Sequence, residues 1–327
     1  MNVEKKNVGI IGASGYGGNE LVRLVLGHPN FKLAYVAADS NAGKKLSDML
    51  PWIEEKDDLE IEKWSPDART EPLQNLDLVF ISLPTGMSKR AEQEIPDRTK
   101  IVDLGGDHRF VEGWTYGLAD IWPDHIRGSK RVANPGCYPA AALTALAPLV
   151  CFPLTNVIID AQSGISGAGR GGGGGMAYAE VNEDLSAYKL FVHDHTAEIG
   201  RALSAIRMLA DFEIPVTFTP HLVPMTRGIL ATCYLTGTHS TEGCFELARE
   251  YYKNSPFVRV TEKSPHSKWT TGSNLAFVSY ASNGKTIIAI GAIDNLVKGA
   301  AGQAVQNANL MFDFEVTAGL EAMPLWP

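Results

Sequence analysis

The sequence predicts an α/β chain: a doubly wound parallel sheet in the first half, and an α+β second half with a mostly antiparallel sheet. Short, uniformly apolar strands alternate with helical or loop segments as far as residue 133. A glycine-rich turn, residues 12–18, follows the first of these strands. From about residue 139 the pattern changes to longer alternating strands broken by turns. At 327 residues the chain exceeds what one hydrophobic core usually serves, so two domains are expected.

Asn7 to Gly12 reads as a buried parallel strand, and Glu20 to Leu26 as the helix after it. Between them runs Gly12-Ala13-Ser14-Gly15-Tyr16-Gly17-Gly18. Strand, glycine turn and helix form the phosphate-binding opening of a Rossmann-type dinucleotide fold. The glycines let the backbone approach a pyrophosphate resting on the helix N-terminus. A second strand, Lys32 to Ala38, ends at Asp39-Ser40-Asn41-Ala42-Gly43-Lys44-Lys45, the tip that faces an adenosine ribose. An acid there favours a free 2′-hydroxyl and a cation favours a 2′-phosphate. Both are present, so the residues alone leave NAD and NADP open.

Residues 46–75 are polar and irregular, with Pro51, Pro66 and Pro72. Leu76 to Leu83 reads as a buried strand ending at Pro84-Thr85-Gly86. Lys100 to Leu104 is another, opening into Gly105-Gly106-Asp107-His108-Arg109-Phe110. Arg109 thus lies at the ligand side of the sheet. It either grips a phosphate or carboxylate or pairs with Asp107.

Arg131 to Ala133 ends a short strand, and Asn134-Pro135-Gly136-Cys137-Tyr138-Pro139 turns into an alanine- and leucine-rich helix. Pro139 suits a first helical turn, where its missing N–H is not needed. Cys137 then sits at a helix N-terminus, where unpaired N–H groups and the dipole favour a thiolate. They also stabilise an oxyanion formed by its attack. The plain alternative is a buried cysteine in a packed turn.

Asn156 to Ala161 is a strand that leads into Ser163-Gly164-Ile165-Ser166-Gly167-Ala168-Gly169-Arg170 and five further glycines, 171–175. Such a run is either a floppy loop or a cradle of backbone N–H groups closing over a ligand. In His193-Asp194-His195-Thr196, Thr196 is positioned to cap the next helix and His195 to project from its start. Two histidines around an aspartate fit acid/base chemistry as well as a structural role. Val216 to His221 and Gly228 to Leu235 read as antiparallel strands, with Arg227 between them able to hold an anion. A helix over 241–253, strands Ala276 to Tyr280 and Thr286 to Ile293, and an alanine-rich helix from Gly299 to about Phe314 complete the chain.

The net charge of −8 argues against nucleic acid or an anionic membrane as the main partner. Cys137, Cys151, Cys233 and Cys244 show neither zinc spacing nor a disulfide framework, which fits a reducing compartment and no metal. The N-terminus carries no apolar signal region, and no apolar run reaches membrane-spanning length. A cytoplasmic protein is expected.

Six ordered segments together resemble the N-acetyl-gamma-glutamyl-phosphate reductase family, within the semialdehyde dehydrogenases. They are Gly12 to Gly18, Asn134 to Pro139, Ser163 to Arg170, His195-Thr196-Ala197-Glu198-Ile199, His221-Leu222-Val223-Pro224-Met225-Thr226-Arg227-Gly228 and Ala292 to Gly299. The resemblance covers nearly the whole chain. It implies an NADPH-linked reduction of an acyl phosphate to an aldehyde, with Cys137 as nucleophile and His195 as acid/base. It implies cofactor contacts from Gly12, Ser14, Gly15, Tyr16, Gly17, Ser40, Lys44, Ser166 and Asn295. Substrate contacts are expected from Arg109, Asn134, Ser163 and Arg227.

The implied domains are 1–138 with 299–327 for the dinucleotide and 139–298 for catalysis and dimerisation, in a homodimer or homotetramer. The glycine-rich segment 164–175 is the expected closure over the thioester. Asp39 and Asp194 depart from the family pattern, which has a serine or threonine before basic residues at the first position and an arginine at the second. Three other readings share parts of the pattern: the same reaction on an aminoadipyl phosphate, an aspartate-semialdehyde-type enzyme, and a non-catalytic nucleotide sensor. The aspartate-semialdehyde family has a glutamine where this chain has Ser163, and a sensor would not need Cys137 or His195.

Overall fold

The computed structural model describes residues 4–65, 71–151, 156–171, 177–208 and 213–326. These fall into two compact units, Met1–Pro135 with Ala300–Glu321, and Gly136–Gly299 with Ala322–Pro327.

In the first unit, β1 (Lys6–Ile11), β2 (Phe31–Ala38), β3 (Glu62–Lys63), β4 (Leu78–Ile81), β5 (Lys100–Asp103), β6 (Thr115–Tyr116) and β7 (Arg131–Ala133) form one sheet. Their order is β3-β2-β1-β4-β5-β7-β6, and every pairing is parallel. Strands β1 and β4 are near-continuous apolar runs because both sheet faces are covered, and Leu78, Val79, Phe80 and Ile81 are all buried. Since β1 is flanked by β2 on one side and β4 on the other, the chain reverses direction of growth there, which opens a ligand crevice at the strands' C-terminal ends. The edge strands β3 and β6 carry no apolar signal in two residues each, and sequence patterning missed them.

The helix Gly302–Met311 returns to this unit after a π-helical turn, Val297–Ala301. All its residues are buried, and the side-chain amide N–H groups of Gln303, Gln306, Asn307 and Asn309 are spent internally. Gln303 Nε2 and Asn307 Nδ2 each donate to Gly117 O at 2.9 Å, and Asn309 Nδ2 donates to Ala318 O at 2.9 Å. These bonds satisfy polar groups that would otherwise penalise burial.

The second unit is built on β8 (Val157–Gly164), β9 (Ser186–Ala187), β10 (Val216–Val223), β11 (Ile229–Thr236), β12 (Val258–Val260), β13 (Ala276–Ser282) and β14 (Thr286–Ile293). The order is β12-β13-β14-β11-β8-β10-β9. Only the β8/β10 and β12/β13 pairings are parallel, so the sheet is mostly antiparallel. Strands β10 and β11 run in opposite directions but do not pair, because β8 lies between them. The segment joining them crosses the end of β8, where Ile165 N–H bonds Met225 O and Gly164 N–H bonds Gly228 O, both at 2.9 Å.

One face of this sheet, with Val157, Ile159, Ala161, Ala231, Cys233 and Ala289, is buried. The helix Cys137–Leu146 packs on β11 and β14. Its alanines allow a close approach, and the Tyr252 and Tyr280 hydroxyls donate to the carbonyls of Thr144 and Ala145 at 2.7 and 3.0 Å. The other face is open. Across it the register sets Thr217, Ile158, Tyr234 and Ile288 side by side. Ile158 is 43% and Tyr234 36% exposed, high for large apolar side chains on a central strand.

Residues 136–138, Gly299 and 322–327 group with the second unit, not with the first as expected. Leu325 N–H bonds Thr271 O at 2.9 Å, and Gly136 N–H bonds Glu198 Oε1 at 2.8 Å, which ties both segments there. Among the described residues no helix is long and apolar enough to cross a membrane, and no cluster of three metal-ligating side chains occurs.

Candidate active site

In the first unit the glycine turn joins β1 to the helix Tyr16–Leu26. Gly12 has φ +92°, and an added Cβ would collide with the Ser82 carbonyl, so both backbone shape and space require glycine. Gly15 is the N-cap, and no acidic residue stands in the first helical turn. The first-turn N–H groups have no intrahelical acceptor and face an environment suited to a pyrophosphate. Ser14 Oγ donates to Ser40 O at 2.5 Å, tying this turn to the β2 tip. At that tip Lys44 Nζ donates to Asn41 Oδ1 at 3.3 Å, while Lys45 Nζ lies 3.6 Å from Asp58 Oδ2. Lys45 is therefore drawn toward Asp58. The cradle fits a phosphorylated dinucleotide.

Asp107, the alternative partner for Arg109, is engaged by backbone groups. It accepts from Gly86 N–H at 2.6 Å and Ser88 N–H at 2.9 Å. Arg109 Nε donates to Asn134 O at 3.1 Å and Nη2 to Leu104 O at 3.3 Å, which fixes the guanidinium at the ends of β5 and β7. His108 steadies that loop from below: it is stacked on Trp114, with Nδ1 2.6 Å from Asp103 Oδ2 and Nε2 3.0 Å from Glu92 Oε2. Asn134, expected at the substrate, is 1% exposed, and its Nδ2 donates to Ala300 O at 3.2 Å while its Oδ1 accepts from Asn307 at 3.0 Å. Its side chain is committed to the helix Gly302–Met311 and the turn before it.

In the second unit Cys137 is the first residue of its helix, with Gly136 as N-cap. The His195 imidazole occupies the space a Gly136 side chain would need, so the ring lies directly against the residue before the thiol. His195 is the second residue of the helix Asp194–Ile206. The cap of that helix is His193, not Thr196: its Nδ1 accepts from His195 N–H at 3.1 Å. An aromatic side chain is an uncommon N-cap, so the expectation followed the commoner threonine.

His193 stands among Tyr138, Tyr188 and Phe218, 4.6 Å ring to ring from His195. Burial, and then Lys189, lower its proton affinity, against a smaller opposing pull from Asp194. Tyr188 Oη donates to Tyr138 Oη at 3.3 Å, and Tyr138 Oη to His221 O at 2.9 Å. Burial pushes both phenols up, with the Cys137 sulfur adding to the effect, and Tyr188 reaches about 12. Both phenols stay neutral beside the thiol.

Ser163 is buried, with Oγ donating to Gly164 O at 3.0 Å. The structure brings Ser166 and Asn295 together: Asn295 Nδ2 donates to Ser166 Oγ at 3.0 Å, and its Oδ1 accepts from Gly228 N–H at 2.8 Å. Arg227 Nη1 lies 3.7 Å from Oδ2 of the fully buried Asp294. Asp294 in turn accepts from Gly272 N–H at 2.7 Å and from Leu296 N–H at 2.8 Å. Of the expected glycine closure over 164–175, residues 172–175 lie outside the described residues.

Two family matches divide the chain as the units do in outline: semialdehyde dehydrogenase, NAD binding domain over residues 7–129, and semialdehyde dehydrogenase, dimerisation domain over 137–295. The N-acetyl-gamma-glutamyl-phosphate reductase of Bradyrhizobium sp. (strain BTAi1 / ATCC BAA-1182) is 56% identical, over 98% of this chain and 99% of that one. The chain belongs to the N-acetyl-gamma-glutamyl-phosphate reductase family. A reductase of the same name from Symbiobacterium thermophilum is 41% identical over 98% of this chain and 99% of its own. Among solved structures, aspartate semialdehyde dehydrogenase II from Vibrio cholerae, complexed with ASA, superposes with TM-score 0.75 at 16% identity, covering 95% of this chain and 99% of that one. The enzyme from Candida albicans, solved with NADP, gives 0.72 at 18% identity and covers 94% and 98%. At such identity these two share the fold of the reductase family and no more.

The roles of three residues at this reductase's site escaped the sequence reading. His193 carries a cap that its type does not advertise. Asp294 anchors Arg227 from the end of β14, the partner of the strand that follows Arg227. Glu198 stands three residues after His195, a spacing that shares one helix face and was available as a signal.

Proposed function

We propose that this chain catalyses the NADPH-dependent reduction of N-acetyl-gamma-glutamyl phosphate to N-acetylglutamate semialdehyde, with release of phosphate, in arginine biosynthesis. The observation that carries this reading is the end-to-end match at 56% identity to a reductase of that name. The relatives' names favour the glutamyl substrate over the aminoadipyl one. A thiol at a helix start, with an imidazole against the preceding residue, supports the same reading.

The Cys137 thiolate attacks the acyl carbon. The carbon–sulfur bond forms as the bond to the phosphate oxygen breaks, and phosphate leaves, taking up one proton. First-turn N–H groups of the Cys137 helix stabilise the thiolate and the oxyanion. NADPH, when bound, supplies the hydride that reduces the thioester carbon. His195 gives a proton to the oxygen of that carbon and takes it back as the carbon–sulfur bond breaks. Aldehyde leaves and Cys137 is a thiolate again. Gly12, Gly15, Tyr16 and Gly17 would hold the cofactor phosphates, Ser40 and Lys44 its 2′-phosphate, and Ser166 and Asn295 its nicotinamide end. Arg109 and Arg227 would hold the anionic groups of the substrate.

The test is turnover of acyl phosphate generated in situ with each reduced cofactor. Oxidation of NADPH equal to phosphate released is expected. Turnover of aspartyl phosphate in place of the acetylglutamyl substrate overturns the reading. NADPH should be preferred over NADH by less than about 100-fold, or about 2.7 kcal/mol, because Asp39 repels a 2′-phosphate that Lys44 and Ser40 bind. Asp39→Ser should widen the preference, and Lys44→Ala should shrink it through the KM for NADPH. An outright preference for NADH contradicts this account of the β2 tip.

The chain works as a homo-oligomer, in keeping with its dimerisation domain, and a second copy covers the open face of the second sheet. Tyr234→Asp would place a charge in that face at the cost of desolvating it. Light scattering should then give the mass of a smaller assembly than the unaltered chain. An unchanged mass would show that the copies meet elsewhere.

A further inference from the structure

Glu198 is 6% exposed, and burying a carboxylate is costly unless it is paired and hydrogen-bonded. Its two oxygens face the two segments that carry Cys137 and His195. Oε1 accepts from Gly136 N–H at 2.8 Å, one residue before Cys137. Oε2 lies 3.9 Å from His195 Nε2, too far for a hydrogen bond and close enough for charge interaction. One carboxylate therefore spans the turn that bears the thiol and the helix that bears the imidazole. We propose that Glu198 is a positioning residue: it fixes the Cys137 turn against the His195 helix and holds the His195 imidazolium that forms when the ring carries the proton. This rests on the reductase reading for its effect on turnover, but the coupling to His195 exists in the resting protein.

Tyr138 and His193 stand 5.9 and 4.6 Å ring to ring from His195, Glu198 Oε2 lies 3.9 Å from its Nε2, Asp194 precedes it in the chain, and Tyr188 packs on His193. Burial keeps His193 toward its neutral form, and burial keeps both phenols neutral. Of the two carboxylates, Glu198 is the one held 3.9 Å from Nε2. Its amide analogue separates its two tasks. Glu198→Gln keeps an acceptor for Gly136 N–H and removes the charge, whereas Glu198→Ala removes both.

The experiment is an NMR titration of histidine-labelled protein, assigned with the His195→Asn variant, beside steady-state kinetics. In Glu198→Gln the His195 titration should move to lower pH by about one unit, since an opposite charge within 4–6 Å favours the charged form. Turnover should fall about 10- to 100-fold, with the KM for acyl phosphate nearly unchanged and the same shift in the pH profile of kcat/KM. Glu198→Asp, which keeps the charge but withdraws it, should shift His195 the same way by less, and serves if the glutamine variant does not fold. An unmoved His195 titration in a folded variant overturns the inference, because a purely structural carboxylate would leave it unmoved. Failure of the unaltered enzyme on the acyl phosphate would instead strike the reductase reading and leave the titration result standing.

Discussion

A Cys137→Ser variant is expected to bind NADPH as the unaltered enzyme does and to lose reduction of the acyl phosphate by more than ~10³-fold, about 4 kcal/mol of barrier. The change of one thiol to a hydroxyl leaves the cofactor turn, residues 12–18, and the residues proposed at the nicotinamide end, Ser166 and Asn295, unaltered. A serine hydroxyl at neutral pH lacks the nucleophilicity of a thiolate, and the helix terminus cannot supply it. The other thiols do not compete on equal terms. Cys233 is fully buried and burial pushes its thiol up, and Cys244 is buried and also pushed up, by burial and by Cys151. Cys151 is exposed and is the accessible rival. Iodoacetamide should label Cys137 ahead of Cys151, and faster labelling of Cys151 would count against activation of Cys137.

His195→Asn should lower turnover by about 10²–10⁴-fold, the usual range for a positioned acid/base. His193 is the neighbouring control, but its Nδ1 caps the helix at His195 N–H and its ring packs beside that of His195. The informative pair is therefore His193→Asn, which can still cap, and His193→Ala, which cannot. Loss of a cap costs about 1 kcal/mol, or about five-fold in rate at 1.36 kcal/mol per decade if it is felt in the transition state. His193→Asn should stay near the unaltered rate.

The pH dependence has a definite sign. His193 binds its proton less readily folded than unfolded, so its contribution to stability is complete above the ordinary value of 6.5 and is lost as pH falls through the lowered folded value. Acid should loosen the helix start at His195 first, and hydrogen exchange at His195 N–H against pH reads this directly. Equal losses in His193→Ala and His195→Asn would mean that the wrong imidazole has been assigned to the proton.

The first unit was legible because its strands are buried on both faces: β1, β4 and β5 read as apolar runs that need no partner to be recognised. The second sheet was harder. Alternation revealed β10 and β11 but not the insertion of β8 between them, since alternation carries no information about which strand lies beside which. At the site, residue type marked Cys137, since its turn and helix are local in sequence. His195 came from its motif. What remained hidden depended on long-range geometry. Asn134 looks like a substrate ligand until the returning helix spends its amide, and Arg109 looks free to pair with Asp107 until backbone N–H groups of residues 86 and 88 claim that acid. Lys45 likewise counts as a phosphate ligand until Asp58 draws it away.

The central claim is a thioester on Cys137, and peptide mass spectrometry of the quenched enzyme tests it most directly. Enzyme is mixed with the acyl phosphate in the absence of any nicotinamide, quenched in acid and digested, with phosphate measured in the same sample. The predicted result is an N-acetylglutamyl adduct on the Cys137 peptide with about one phosphate released per active chain, and neither in Cys137→Ser. An adduct on another residue, or no phosphate until NADPH is added, would contradict it.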